Sequence, residues 1–249
     1  REEVFMRLEK EGFLIENIVD YTSAEDDGIF LEGTGSLLLD RKNGKAYCAL
    51  SPRADEELFI EFCEDFDYFP VVFTANQTVD GKRLAIYHTN VMMAMAETFV
   101  VICLDTIDDK KERKNVVQHL KKDGKEIISI TEKQMHHFAG NMLQVIGSNG
   151  QRYMVMSSAA YNSLQPEQLA AIRKHCEIIY SCGHNARKIA FIPSLYRCAT
   201  FTCHTMNNLW LKPSMAKQID ALDCRHSLDK FSSAKLSRRC LSPLTNVWR

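Results

Sequence analysis

From Leu37 to Tyr180 the apolar positions fall into short runs separated by turn residues, and the order of those runs recurs. In the first stretch Leu37–Leu39 and Ala46–Leu50 have strand length and are joined through Arg41-Lys42-Asn43-Gly44, whose Asn-Gly suits a tight hairpin. Ala54–Asp65 follows, opened by Ser51-Pro52, with Leu58, Phe59, Phe62 and Cys63 at helical spacing, and Val71–Thr74 reads as a further strand. The second stretch predicts strands at Leu84–Tyr87 and Phe99–Leu104, a helix over Asp109–Leu120 stopped by Gly124, and a strand at Glu126–Ile130. The third predicts a strand at Met142–Ile146, a turn at Gly147-Ser148-Asn149-Gly150, a strand at Tyr153–Met156, a helix from Pro166 to His175 and a strand at Glu177–Tyr180. His136-His137 and the run Met92, Met93, Met95 read as helix or core residues.

The predicted helices start near positions 54, 109 and 166, so the unit is strand, strand, helix, strand with a period of about 55 residues. A ββαβ module covers only one face of its own small sheet. Its other apolar surfaces must be buried by helices outside and by neighbouring modules, which a ring of modules achieves. Ahead of the repeat, Glu2–Lys10 predicts a helix through Val4, Phe5 and Leu8, and Phe13–Ile18 predicts a strand. Together these resemble the second half of a module, so the chain is expected to begin inside a fold.

Composition adds a division that the periodicity does not show. The chain of 249 residues is 45% hydrophobic and 25% charged, as expected for an ordinary globular protein and not for a disordered or fibrous one. Its formal charge of −1 conceals a split: residues 1–180 hold 20 Lys+Arg against 29 Asp+Glu, whereas residues 181–249 hold 11 against 3. Five of the nine cysteines, Cys182, Cys198, Cys203, Cys224 and Cys240, lie in that basic segment. The expected organisation is an α/β propeller domain over 1–180 and an atypical, poorly ordered tail over 181–249. Cys and His recur in the tail, but no Cys-x2-Cys or His-x3-5-His spacing accompanies them, so no metal site is predicted. The basic segment carries no nucleic-acid-binding signature, and no apolar run approaches membrane-spanning length. With no basic-then-apolar leader at Arg1-Glu2-Glu3-Val4, a cytoplasmic location is expected.

Five motifs in order carry a resemblance: Phe30-Leu31-Glu32-Gly33-Thr34-Gly35-Ser36, Ala46-Tyr47-Cys48-Ala49-Leu50-Ser51-Pro52-Arg53-Ala54-Asp55, Ile86-Tyr87-His88-Thr89-Asn90-Val91-Met92-Met93, Phe99-Val100-Val101-Ile102-Cys103-Leu104 and Phe138-Ala139-Gly140-Asn141-Met142-Leu143-Gln144. Over roughly residues 1–180 the chain resembles the arginine deiminase-related branch of the guanidino-group-modifying (amidinotransferase) superfamily. Citrulline utilisation hydrolases stand nearest in this resemblance, with dimethylarginine dimethylaminohydrolases and arginine deiminases further off. The resemblance implies a pentein-like propeller of five ββαβ modules, of which this chain holds an incomplete ring.

It also implies chemistry. Breaking a guanidinium or ureido C–N bond needs a nucleophile for the central carbon, a proton donor for the departing amine and acceptors for a flat, N–H-rich group. His88 is similar to the general acid/base of these enzymes, and Glu32 to the carboxylate that orients it and is expected to raise its pKa. Without the resemblance, His88 would read as a strand-end surface or capping residue and Glu32 as a loop carboxylate. Gly33-Thr34-Gly35-Ser36 alone suggests a phosphate loop, but no Lys follows and the next element reads as a strand. Asn90 occupies a position where more distant relatives carry Asp, which suits a neutral ureido group. Asn141, in the fifth motif, reads either as a second substrate contact or as a structural strand-end amide.

At the ends the chain departs from the pattern. The resemblance leads one to expect a segment with an acidic substrate-binding residue ahead of Arg1 and a Gly-Gly-Gly-Ser-x-Arg-Cys motif after Tyr180, and residues 1–249 hold neither pattern. Cys198, preceded by Ser194-Leu195-Tyr196-Arg197, is the candidate nucleophile. The expected function is a cofactor-free hydrolase of the C–N bond of citrulline or a related ureido or guanidino amino acid, impaired in this chain. The alternative is a non-catalytic ligand-binding or interaction protein that retains the scaffold.

Overall fold

In a computed structural model, which describes residues 2–15, 18–147 and 150–181, the repeat takes the form of three ββαβ modules. Ahead of them lie helix α1 (Glu2–Lys10) and a one-turn helix α2 (Gly33–Ser36). The first module is β1 (Leu37–Asp40), β2 (Lys45–Leu50), α3 (Glu56–Asp65) and β3 (Phe69–Thr74). A two-stranded hairpin, β4 (Asn76–Val79) and β5 (Lys82–Ala85), and a second one-turn helix, α4 (Thr89–Met92), lead to the second module: β6 (Met93–Met95), β7 (Phe99–Ile102), α5 (Lys110–Lys122) and β8 (Glu126–Ser129). Helix α6 (Glu132–His136) then precedes the third: β9 (Leu143–Ile146), β10 (Arg152–Ser157), α7 (Ser158–Ser163), α8 (Pro166–Arg173) and β11 (Glu177–Ser181).

Each module is a three-stranded sheet in which the middle strand pairs antiparallel with the first and parallel with the third. The parallel return requires a crossover, and helices α3, α5 and α8 supply it. Their starts are set by local chemistry. The Asp55 carboxylate accepts the Leu58 N–H at 3.0 Å, Asp109 accepts from Lys111 and Glu112, and Pro166 occupies the first turn of α8. Gly124, at φ 71°, ends α5 in the left-handed conformation that favours glycine.

The modules pack in series. Strand β1 touches β6 and β6 touches β9, while α5 packs on β3 of the preceding module and α8 on β8. First strands therefore lie side by side within the molecule, with helices covering the neighbouring sheets. Middle strands are the most deeply buried: Ala46, Tyr47, Cys48 and Ala49 of β2 and all four residues of β7 are inaccessible. A strand covered on both faces reads as a continuous apolar run, which is why β7 was legible in the sequence.

Two expected strands are corrected. Leu84–Tyr87 is not the first strand of the second module; Lys82–Ala85 belongs to the exposed hairpin, turned at Asp80 and Gly81 with φ of 50° and 74°. The module opens instead at Met93–Met95, inside the methionine run read as helix or core. Asp-Gly is a strong hairpin signal that the apolar pattern overrode. Phe13–Ile18 forms no strand among its described residues: Leu14 is 81% exposed, and no described strand pairs with it. No helix among the described residues is long and apolar enough to cross a membrane. The tail expected over 181–249 lies, apart from Ser181, outside the described residues.

Candidate active site

Glu32 and His88 each stand five residues before the first strand of a module, immediately ahead of α2 and α4. Phe138 holds the same register ahead of β9, with φ at 66°. Equivalent positions of adjacent modules converge, because the first strands they precede are neighbours. His88 Nε2 lies 2.5 Å from Glu32 Oε2 across 56 residues of sequence. Glu32 accepts the Nε2 proton, so the neutral ring keeps its lone pair on Nδ1, and Nδ1 is the atom that takes and returns a proton.

Hydroxyls fix the frame that holds the pair. Thr89 Oγ1 donates to the Ser36 carbonyl at 2.6 Å and accepts the Ala49 N–H at 2.8 Å, binding α4 to the ends of α2 and β2. Ser36 Oγ donates to the Arg53 carbonyl at 2.9 Å, and Ser51 Oγ to the Tyr87 carbonyl at 2.9 Å. The Glu32 N–H also donates to the Arg53 carbonyl, at 3.0 Å. Ser36, Ser51 and Thr89 all stand in stretches quoted from the sequence, but nothing there assigned them a part in holding the pair.

Arg53 and Tyr87 are further site residues that sequence reasoning missed. Arg53 Nη1 lies 3.5 Å from the same Glu32 Oε2, and its guanidinium carbon is 5.3 Å from the centre of the Tyr87 ring. The Tyr87 ring meets the His88 ring edge-on at 5.0 Å. The pKa of His88 is lowered from its ordinary value. Burial favours the uncharged ring and outweighs the pull of Glu32, and Arg53 adds to the lowering. This reverses the rise expected from the carboxylate alone.

Asn90 and Asn141 are brought to each other. Asn90 is buried, with Nδ2 3.5 Å from the Thr34 carbonyl, and Asn141 Nδ2 donates to the Asn90 carbonyl at 3.0 Å. Asn141 Oδ1 is buried without a hydrogen-bond partner among the described residues.

Cys198 lies outside the described residues. The four described cysteines, Cys48, Cys63, Cys103 and Cys176, are all buried, and burial pushes the thiols of Cys48 and Cys63 up to about 12 and that of Cys103 up to about 11. Cys176 moves in the same direction for the same reason. None of these four is a thiolate near neutral pH, so none of them is a ready nucleophile. An open depression of about 670 Å³ lies elsewhere, lined by Gln134, Gln168 and their neighbours; the two amides bond to each other at 2.7 Å.

Residues 1–189 match the family model described as N,N dimethylarginine dimethylhydrolase, eukaryotic. The chain belongs to this family. The motif resemblance had put dimethylarginine hydrolases further off than citrulline utilisation hydrolases. No curated protein matches this family member by sequence. Among solved structures it is similar to apo ArgZ, an arginine dihydrolase from the ornithine-ammonia cycle in cyanobacteria, with a TM-score of 0.51 and 13% identity over 76% of this chain and 24% of that chain. The substrate-bound N-terminal domain of ArgZ gives 0.51 and 12%, over 76% and 59%. A mutant AgrE with L-arginine gives 0.52 and 15%, over 78% and 24%. At this identity the likeness is one of fold, and the dimethylarginine dimethylhydrolase family member spans about a quarter of the full-length relatives.

Proposed function

We propose that this chain carries the acid/base half of a hydrolase that cleaves the C–N bond of a guanidino or ureido amino acid through a covalent thiol intermediate. The contact between His88 and Glu32 is the observation that carries the reading. A partly buried imidazole with one nitrogen tied to a carboxylate and the other unpartnered among the described residues is arranged for proton transfer. The resting neutral ring accepts the thiol proton at Nδ1 as sulfur attacks the central carbon. The same proton then passes to the departing amine as the C–N bond breaks. A water next gives its proton to Nδ1 and its oxygen to the carbon, and the thiol leaves with that proton.

Citrulline is the substrate we favour, since Asn90, two residues after His88 in the chain, offers a carboxamide where a carboxylate would favour a full cation. Cys198 is the proposed nucleophile. Because every described thiol is buried and protonated, slow turnover is expected unless Cys198 reaches the dyad. The test is product release from citrulline, arginine and N,N-dimethylarginine by the full chain and by His88→Ala, Glu32→Gln and Cys198→Ala variants. Turnover abolished by all three supports the reading, and turnover indifferent to His88 overturns it. A folded chain that binds citrulline without turning it over, through His88 and Glu32, points to the non-catalytic alternative.

A further inference from the structure

His175 Nδ1 lies 2.9 Å from Thr98 Oγ1, and its Nε2 lies 3.0 Å from Glu126 Oε2. A carboxylate can only accept, so Nε2 carries the ring proton and Nδ1 accepts the threonine O–H. Three segments fix this line of atoms. The Glu126 N–H donates to the Thr98 carbonyl at 3.0 Å where β7 and β8 begin side by side, and the His175 N–H donates to the Ile172 carbonyl just past α8. The imidazole stacks on Phe99 with ring centres 4.9 Å apart. Lys174 Nζ reaches the other Glu126 oxygen at 3.3 Å, and the carboxyl is held below its ordinary range, chiefly by the His175 hydrogen bond. Thr98 is exposed, whereas the His175 side chain is only 19% so. The group lies at the end of β6 remote from α4, away from His88 and Glu32.

The interface between the first two modules shows that packing does not require this arrangement. His119 follows the start of α5 at the spacing at which His175 follows the start of α8, and it too lies on an aromatic ring of the preceding module, Phe69 at 5.3 Å. There Gly44, whose carbonyl accepts the Phe69 N–H, takes the place of Thr98, and Phe69 that of Glu126. His119 Nδ1 is buried without a hydrogen-bond partner among the described residues. A histidine at this register serves the interface without a hydroxyl or a carboxylate, so both partners of His175 call for another account.

We propose that Thr98, His175 and Glu126 form a second nucleophilic site, which takes an acyl group from an activated ester or thioester. Thr98 Oγ1 attacks the acyl carbon as its proton passes to His175 Nδ1, and the tetrahedral intermediate expels an alkoxide, phenolate or thiolate, which leaves with that proton. The product is a threonine ester. Water then adds its oxygen to the ester carbon and its proton to Nδ1, and Thr98 Oγ1 leaves with that proton. Glu126 is a positioning residue: it fixes the tautomer and stabilises the imidazolium that forms. Because the hydroxyl faces solvent, water solvates the oxyanion, and acyl transfer is slow beside that of an enclosed site. The site shares no residue with the hydrolase reading and does not depend on it.

In the test, the full chain is incubated with p-nitrophenyl acetate, nitrophenolate release is followed, and the acetyl group is located by peptide mass. Acetyl is expected on Thr98, where neutral hydroxylamine releases it as an ester and leaves lysine amides untouched. His175→Gln should lower Thr98 acetylation by about 100-fold or more, Thr98→Val should abolish acetylation at this position, and Thr98→Ser should retain it. Glu126→Gln lets the ring hold its proton on Nδ1 and should lower acetylation by a similar factor, with the ring nitrogen shifts of His175 reporting the change of tautomer. Acetyl confined to amines, or Thr98 acetylated equally in the parent chain and in His175→Gln, overturns the proposal. If His175→Gln does not fold, Glu126→Gln decides in its place, and an undiminished rate there overturns the proposal.

Discussion

Gly140 passes against Val91 so closely that a Cβ on the glycine would stand 2.2 Å from the Val91 carbonyl oxygen and 2.8 Å from the carbonyl carbon of Met92. Both neighbours are backbone of α4 and cannot rotate away, so a side chain here must separate the third module from the segment that carries His88. Gly140→Ala is expected to destabilise the chain by about 3 kcal/mol, read as a lower urea midpoint at unchanged slope. A midpoint equal to that of the parent chain contradicts this contact.

At Gly35 the same substitution meets a side chain instead. An added Cβ would lie 2.8 Å from His88 Nδ1 and 2.9 Å from Cγ and Cε1. A ring tip can move, so Gly35→Ala should keep most of the stability while displacing His88 from Glu32. Where turnover is measurable, a loss of about 100-fold is expected from misplacement on the order of 1 Å. An unchanged His88 resonance and unchanged rate would falsify the seating of the ring on this glycine.

Ion pairs join the first two modules away from the site, and two of them are well shielded from solvent. Lys125 Nζ lies 2.9 Å from Asp40 Oδ2 with both side chains buried, and it also donates to the carbonyls of Ala96 and Glu97. Lys45 pairs with Asp123 at 2.7 Å. Asp40→Ala strands a buried ammonium and should cost about 3–5 kcal/mol. Adding Lys125→Met removes that charge and should recover part of the loss in urea denaturation; a double variant no more stable than Asp40→Ala contradicts this origin of the cost.

Tyr47 gives the opposite sign. Its ring is inaccessible, its hydroxyl has no partner among the described residues, and burial raises its pKa. Tyr47→Phe removes a polar atom that gains nothing where it is, so stability should hold or rise by about 1 kcal/mol. A clear drop in thermal midpoint means that the hydroxyl is satisfied.

The pH dependence follows from the two depressed histidines. His88 and His119 are both lowered in the folded chain, mainly by burial. The unfolded chain therefore binds more protons through the ordinary histidine range, and stability rises with pH there. Their contribution is complete above the unfolded pKa of about 6.5 and is lost as pH falls towards the folded values. Urea midpoints measured from pH 7.5 downward should decline across this range, and His88→Gln should reduce the slope. A midpoint that rises on acidification contradicts the sign.

How much was legible depended on range. Helices α3, α5 and α8 were readable because the apolar stripe repeats locally and signals such as Ser51-Pro52, Gly124 and Pro166 mark where it starts or stops. Strand β6 was missed because three residues, Met93–Met95, carry too little pattern to separate strand from buried helix. The motifs singled out His88 and Glu32 as a pair, whereas Arg53 stood inside the second motif with no role assigned to it. Its approach to Glu32 depends on where β2 ends against α2, a relation between segments 21 residues apart.

By itself, the sequence determined the modular repeat, the crossover helices and the residue types available for proton transfer, since each of these rests on patterns among residues close in the chain. Only the tertiary structure decided that positions 56 residues apart share a hydrogen bond, that Arg53 reaches the same oxygen, and that His88 is driven towards its neutral form. The last point is a matter of solvent. A carboxylate beside an imidazole raises its pKa in any sequence-level argument, whereas the cost of burying the charged ring exists only once neighbouring modules have excluded water from it.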